Sequence, residues 1–157
     1  MNGQRYQRNQ GGYGQSNRSN QQQEVTFKPI NFWKDRVKEL IEPSLFSEQA
    51  EEFAKEIAND NSNNKKFNKR TQLRKFYDEV VYLEVKSRNT NFDTILPFIN
   101  MLVAKAAYAD GRELISKNFF EFIKISIKEI KTKSDLKVFT NFFEAFMGFY
   151  RSYGPSN

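Results

Sequence analysis

Two groups of side chains in this 157-residue chain have types and spacing that could do chemistry: a run of basic residues and a set of carboxylates. The run lies in residues 61–77, which hold six basic side chains and no acidic one. Its members are Lys65, Lys66, Lys69, Arg70, Arg74 and Lys75. Such a compact positive block is suited to bind an anion, and the phosphates of a nucleic-acid backbone are the obvious candidate. The alternative is a solvated loop that keeps the chain soluble.

The spacing of the run indicates where the charge would lie on a helix. Lys66, Arg70 and Arg74 follow one another at intervals of four, so they share one flank of a helix entry. Like charges at a helix N-terminus oppose the helix dipole, and a bound anion would relieve that cost.

The carboxylates are Glu48, Glu51 and Glu52 with Asp60, and they could be imagined as a metal cluster. An acidic first turn of a helix accounts for the three glutamates without a metal, and we favour that interpretation. A metal-dependent nuclease is the corresponding enzyme hypothesis, although no second acidic block is placed to complete its site.

Residue types that the chain lacks exclude other chemistry. The chain has a net charge of +6, and it contains no histidine and no cysteine. Zinc sites of Cys/His type, haem, iron–sulfur clusters and Cys or Ser–His nucleophiles are therefore excluded. A G-x-x-x-x-G-K-[ST] nucleotide loop is absent as well. We expect no enzyme activity, no metal and no cofactor.

The apolar residues that must position these side chains recur at intervals of three and four, which is typical of amphipathic helices. We expect Asn31 to cap the first helix, Gly111 to be a left-handed residue ending the fourth, and Ser134 to cap the last. The predicted fold class is all-α, a bundle of five or six helices. The segments are 32–41, a helix after Ser47 that stops in 59–64, a helix ending near Lys86, a helix from about Asp93 to Tyr108, and two helices over 116–131 and 135–152.

The N-terminal segment is different. Gln, Asn and Gly fill 15 of residues 1–23, so we expect a disordered tail before a helical-bundle domain over 24–157. The chain shows neither a signal-peptide core nor an apolar stretch long enough to span a membrane, so we expect a cytoplasmic protein.

Aromatic residues crowd the last helix: Phe139, Phe142, Phe143, Phe146, Phe149 and Tyr150. Their spacing indicates core, but their arc is too wide for one narrow stripe. We therefore expect part of that face to pack against another copy of the protein.

Three ordered blocks give the chain a family resemblance: Thr71-Gln72-Leu73-Arg74-Lys75-Phe76, then Ala107-Tyr108-Ala109-Asp110-Gly111-Arg112, then Asn141-Phe142-Phe143-Glu144-Ala145-Phe146-Met147-Gly148-Phe149-Tyr150. This series resembles the small helical subunit of type III-A CRISPR interference complexes, the Csm effector. Residues 1–23 and 24–60 carry no diagnostic block.

The resemblance implies a non-catalytic subunit of a prokaryotic antiviral ribonucleoprotein. Its expected partners are crRNA and target RNA, other subunits of the complex and copies of itself, which stack beside the crRNA-bearing subunits. Arg74 and Arg112 match arginines of the family motifs, and Lys105 lies two helical turns before Arg112. The implied RNA-backbone contacts are Lys69, Arg70, Arg74, Lys105 and Arg112, supported by Lys65, Lys66 and Lys75.

Two alternatives remain open at this point. Arg112 could form a buried structural pair with Glu144, which stands alone among apolar residues in its block. The chain could also be a helical protein–protein adaptor that makes no direct contact with RNA.

Overall fold

The helical periodicity of the sequence corresponds to five α-helices in the computed structural model, which describes residues 29–155. The all-α prediction is therefore confirmed. The predicted tail lies outside the described residues, and the domain boundary at residue 24 stays a prediction. The helices are α1 (Ala50–Asn63), α2 (Arg70–Arg88), α3 (Phe92–Gly111), α4 (Lys117–Glu129) and α5 (Lys133–Tyr153).

The helix predicted over 32–41 is wrong, because this segment forms an antiparallel β-hairpin of β1 (Trp33–Asp35) and β2 (Leu40–Ile41). The side chain of Asp35 accepts hydrogen bonds from the backbone N–H groups of Val37 and Lys38, which closes a turn instead of a helix. Val37, a member of the predicted apolar face, is 95% exposed.

The second predicted helix begins as a π-helical turn over Leu45–Gln49 and continues as α1 through most of the Asn-rich run. Asn118 donates to Asp60 at 2.8 Å, and Asn61 donates to the hydroxyl of Tyr150 at 3.1 Å. Because these side chains find partners on other helices, they do not compete with the backbone bonds of α1. Helix α1 therefore ends at Asn63, near the end of the Asn-rich run, and not at its beginning.

Two predicted helix-end residues are also wrong. Thr132, not Ser134, caps α5, in a capping box with Asp135. Gly111 has no positive φ; the left-handed residue after α3 is Glu113, with a φ of 55°. The N–H groups of Glu113 and Leu114 bond to the carbonyls of Asp110 and Ala109, which is the Schellman pattern placed two residues later than predicted.

The centre of the bundle is aromatic, and α5 supplies most of it. Helix α5 packs against both α1 and α2, while α3 packs against α4 and α2. Phe53 of α1 and Tyr77 of α2 contact Phe142 and Phe143 of α5 edge to face. Most of the wide aromatic arc is thus covered from two sides within the chain, whereas Phe149 is only partly buried, and contact of this face with another copy stays a prediction. Fully buried on α5 are Phe139, Phe142, Phe143, Phe146 and Tyr150.

Candidate nucleic-acid interface

The loop between α1 and α2, which carries the first lysines of the basic run, is attached to the bundle by its one buried residue, Asn68. Its side-chain amide donates to the carbonyl of Ile57 and to the hydroxyl of Ser116, and its Oδ1 accepts from the backbone N–H of Ser116 at 2.8 Å. Its backbone N–H donates to the carbonyl of Leu114. These bonds join the middle of α1 and the start of α2 to the loop between α3 and α4. Asn is well suited to the left-handed φ of 53° found here.

Tyr150 of α5 completes this junction. Its hydroxyl donates to the carbonyl of Asn68 at 2.7 Å and accepts from Asn61. Burial of the ring raises the pKa of Tyr150 to about 12, so the hydroxyl stays protonated and keeps donating. A Cβ at Gly154 would lie 2.4 Å from the ring, so only glycine lets the chain pass here without displacing the tyrosine.

The loop lysines Lys65, Lys66 and Lys69 are exposed beside the junction. None of them forms an ion pair with any residue in 29–155. Lys69 is also the N-cap residue of α2, and its side chain makes no capping bond to the first turn. The start of α2 therefore combines uncompensated positive charge with backbone N–H groups that no side chain caps.

A groove of about 720 Å³ lies between α2 and α5 next to the junction. Arg70, Arg74 and Lys75 line it from α2, and Arg151 lines it from α5. Other lining residues are Thr71, Tyr77, Asp78, Glu144, Met147 and Gly148. The groove thus has four basic and two acidic side chains around an apolar floor, which suits a ligand that is anionic and partly apolar.

The two groove arginines that the sequence predicted are held in place by their neighbours. The Nε of Arg70 donates to the carbonyl of Pro155 at 2.9 Å. The Nε of Arg74 donates to Asp78 at 2.8 Å, and its guanidinium lies over the ring of Tyr77. The hydrogen bond to Asp78 raises the pKa of Arg74 above its already high value, so the side chain is permanently charged.

The other two predicted residues lie away from this groove. Lys105 of α3 pairs with Glu79 of α2, which places it at the α2–α3 junction. Arg112 donates to the hydroxyl of Tyr108 at 3.1 Å, and its guanidinium lies over that ring. The eight predicted residues therefore form two sets, six around the start of α2 and two on the exposed side of α3. The predicted alternative of an Arg112–Glu144 pair is wrong, because Arg112 contacts Tyr108 while Glu144 borders the α2–α5 groove.

Two of the four carboxylates considered as a metal cluster bond to different partners. Glu51 accepts from Tyr153 and pairs with Lys55, and the bond from Tyr153 is the main reason that its pKa is lowered. Asp60 accepts from Asn118, and burial raises its pKa. Within residues 29–155 no three potential metal ligands lie close enough to hold an ion.

Sequence reasoning missed Arg151, because nothing around it is basic. The antiparallel packing of α5 against α2 brings it to Arg74. The signal in the sequence that could have found it is the spacing of residues within each helix. Lys137, Glu144 and Arg151 follow one another at intervals of seven. Arg74, Val81 and Arg88 do the same. Residues seven apart lie on one face of a helix.

With this geometry in hand, comparison with known proteins decides the family. The family model described as Csm2 Type III-A matches residues 41–156. The chain belongs to the Csm2 type III-A family. All three sequence blocks of the resemblance lie inside the matched range, so the resemblance to the small subunit of the type III-A Csm complex is confirmed.

A relative carries the same family name. The chain is 29% identical over 86 residues to the "CRISPR system Cms protein Csm2" of Streptococcus thermophilus. That alignment covers 54% of this chain and 71% of the relative. No solved structure was found to match.

Membership of the Csm2 family makes the chain a subunit of a type III-A CRISPR complex. Between residues 29 and 155, no helix has the length and apolar character needed to cross a membrane.

Proposed function

We propose that this chain is a non-catalytic, RNA-binding subunit that stacks in several copies in its complex and contacts the backbone of crRNA and target RNA. The observation that carries the proposal is the positive end of the bundle, where the loop lysines and the α2–α5 groove lie side by side. Support for a non-catalytic role comes from the lack of histidine and cysteine and from the bonds that engage Glu51 and Asp60 with other side chains.

The chemistry of this end favours phosphate over base recognition. Arginine and lysine side chains and uncapped N–H groups bind phosphate oxygens, and such contacts carry no sequence information. We therefore expect weak binding that is independent of RNA sequence and strongly dependent on salt.

The test is the salt dependence of RNA affinity for the full chain, measured by fluorescence anisotropy from about 50 to about 200 mM salt. We expect Arg74→Gln with Lys75→Gln to reduce the slope of log affinity against log salt by about 1.4, since each lost contact to a single strand removes about 0.7. Lys105→Gln with Arg112→Gln tests the α3 set separately.

The matched control is Lys124→Gln with Lys128→Gln, which removes two exposed charges from α4, a helix that carries neither set. Its slope should equal that of the unchanged protein. Equal slopes for the control and for both test variants would contradict the proposal.

A second candidate function, a protein–protein adaptor, is favoured by the exposed apolar surface of α2 and α3. Tyr82 and Val85 of α2 and Phe98, Met101 and Tyr108 of α3 are all about half exposed or more. Aromatic residues and methionine are enriched at protein interfaces. The adaptor is supported if the chain binds no RNA at low salt and variants lacking the basic residues still assemble into the complex.

A further inference from the structure

The α2–α5 face has a second basic groove at its other end, among residues that nothing above assigns to a function. This groove, of about 430 Å³, is lined by Arg88 of α2 and by Lys133 and Lys137 of α5. Its remaining lining residues are Glu84, Ser87 and Ser134. Neither lysine forms an ion pair with any residue in 29–155.

Arg88 is oriented by a buried carboxylate. Its Nε donates to both oxygens of Glu84 at 3.0 and 3.2 Å, and its Nη2 donates to one of them at 2.7 Å. The side chain of Glu84 is 8% exposed, whereas that of Arg88 is 63% exposed. The pair therefore holds a planar guanidinium at the surface in a fixed position, which reduces the side-chain entropy lost when an anion binds.

The two basic grooves lie about four helical turns apart along the α2–α5 face. Arg74 and Arg88 are fourteen residues apart on α2, and so are Lys137 and Arg151 on α5. At about 1.5 Å of rise per residue, either separation is roughly 21 Å. Glu144 lies midway between Lys137 and Arg151 on α5, at the border of the first groove, and no residue in 29–155 pairs with it, so it would repel a phosphate there. An anionic polymer on this face is thus attracted by basic side chains at both ends.

We infer that a nucleic-acid strand lies along the α2–α5 face and that its phosphodiester backbone contacts Arg88, Lys133 and Lys137 as well as the first groove. This inference rests on the proposed RNA-binding function and extends it to a second contact. At roughly 3.4 Å of axial rise per nucleotide in a stacked strand, the two contacts are about six nucleotides apart. An RNA shorter than that reaches only one of them.

The experiment compares Lys133→Gln with Lys137→Gln against a matched control, Lys128→Gln with Lys131→Gln. The control removes two exposed lysines from the same end of the bundle that are likewise without an ion pair in the described chain. RNA affinity of the full chain is measured against salt with oligonucleotides of about twelve and about four nucleotides, which lie on either side of the required length.

For the longer RNA, we expect the slope for the Lys133/Lys137 variant to fall by about 1.4 relative to the control, because two phosphate contacts are lost. For the shorter RNA, we expect the slope to fall by less than half as much. This RNA cannot reach both grooves at once, so it contacts Lys133 and Lys137 only when it is not bound at the first groove. Urea unfolding of both variants checks that their stability is unchanged.

Equal slopes for variant and control on the longer RNA would overturn the inference. If the Arg74/Lys75 variant still lowers the slope, the proposed function survives and only the second contact fails. Loss of assembly into the complex with an unchanged slope would also overturn the inference, and would assign the second groove to a protein neighbour. If the protein without any substitution binds neither the longer nor the shorter RNA, the proposed function itself is contradicted.

Discussion

At the scale of single residues, the junction of Asn68, Tyr150 and Gly154 determines where the basic loop lies. Asn68 bonds to three other segments of the chain, Tyr150 closes the junction from α5, and Gly154 leaves room for the tyrosine ring. None of these three residues could bind RNA by charge. They matter because they hold the lysines that could.

We predict that Gly154→Ala destabilises the protein by about 1–3 kcal/mol, because the new Cβ overlaps a buried ring that cannot move away without losing its hydrogen bonds. Gly148→Ala is the matched control, since nothing lies within 4 Å of its Cβ position. Replacing a glycine inside a helix should stabilise by about 0.5–1 kcal/mol.

Urea unfolding of both variants gives the two free energies of unfolding. Equal effects of the two substitutions, or a stabilising Gly154→Ala, would show that Tyr150 is not confined as described.

At the scale of elements, Asp135 connects the β-hairpin to the start of α5. Its carboxylate is fully buried; it accepts from Trp33 Nε1 at 2.7 Å and from Arg36 at 2.9 Å, as well as from the backbone N–H groups of Lys131 and Thr132. Burial alone would raise the pKa of Asp135, but these bonds together hold it below the ordinary value of 3.8.

We predict that Asp135→Asn destabilises the protein by about 2–3 kcal/mol at neutral pH, because charged hydrogen bonds are lost. The folded-state pKa is depressed, so the stabilisation is present above about pH 4 and is lost as the pH falls through the folded-state value. The difference in unfolding free energy between the unchanged protein and the variant should therefore narrow below about pH 4.

The measurement is urea unfolding at several pH values, with the exposed Asp93→Asn in the first turn of α3 as a control of equal charge change. A difference that stays constant or widens on acidification would contradict the role assigned to the Asp135 carboxylate.

The helices α2 to α5 could be predicted because their buried residues recur at intervals of three and four, which local sequence displays directly. The β-hairpin could not. Phe32 packs on Phe139, and Trp33 donates to Asp135, about a hundred residues away in sequence. These distant partners, together with the turn at Asp35, outweigh a helical spacing that is present but short.

At the scale of the whole molecule, the charge is arranged along one face rather than in one segment. The lysines around the start of α2 could be predicted, because they lie close together in the sequence. Arg151, Arg88, Lys133 and Lys137 could not, because only the antiparallel packing of α2 and α5 places them on that same face. The central claim is that this face binds the RNA backbone.

The most direct test of that claim leaves the sequence unchanged. The full chain is acetylated at its lysines with and without RNA at low salt, and the modification of each lysine is measured by mass spectrometry. We predict RNA-dependent protection of the lysines of this face and none at Lys124 and Lys128 of α4. The lysines expected to be protected are Lys65, Lys66, Lys69, Lys75, Lys133 and Lys137. Protection confined to other lysines, or equal protection of all of them, would contradict the claim.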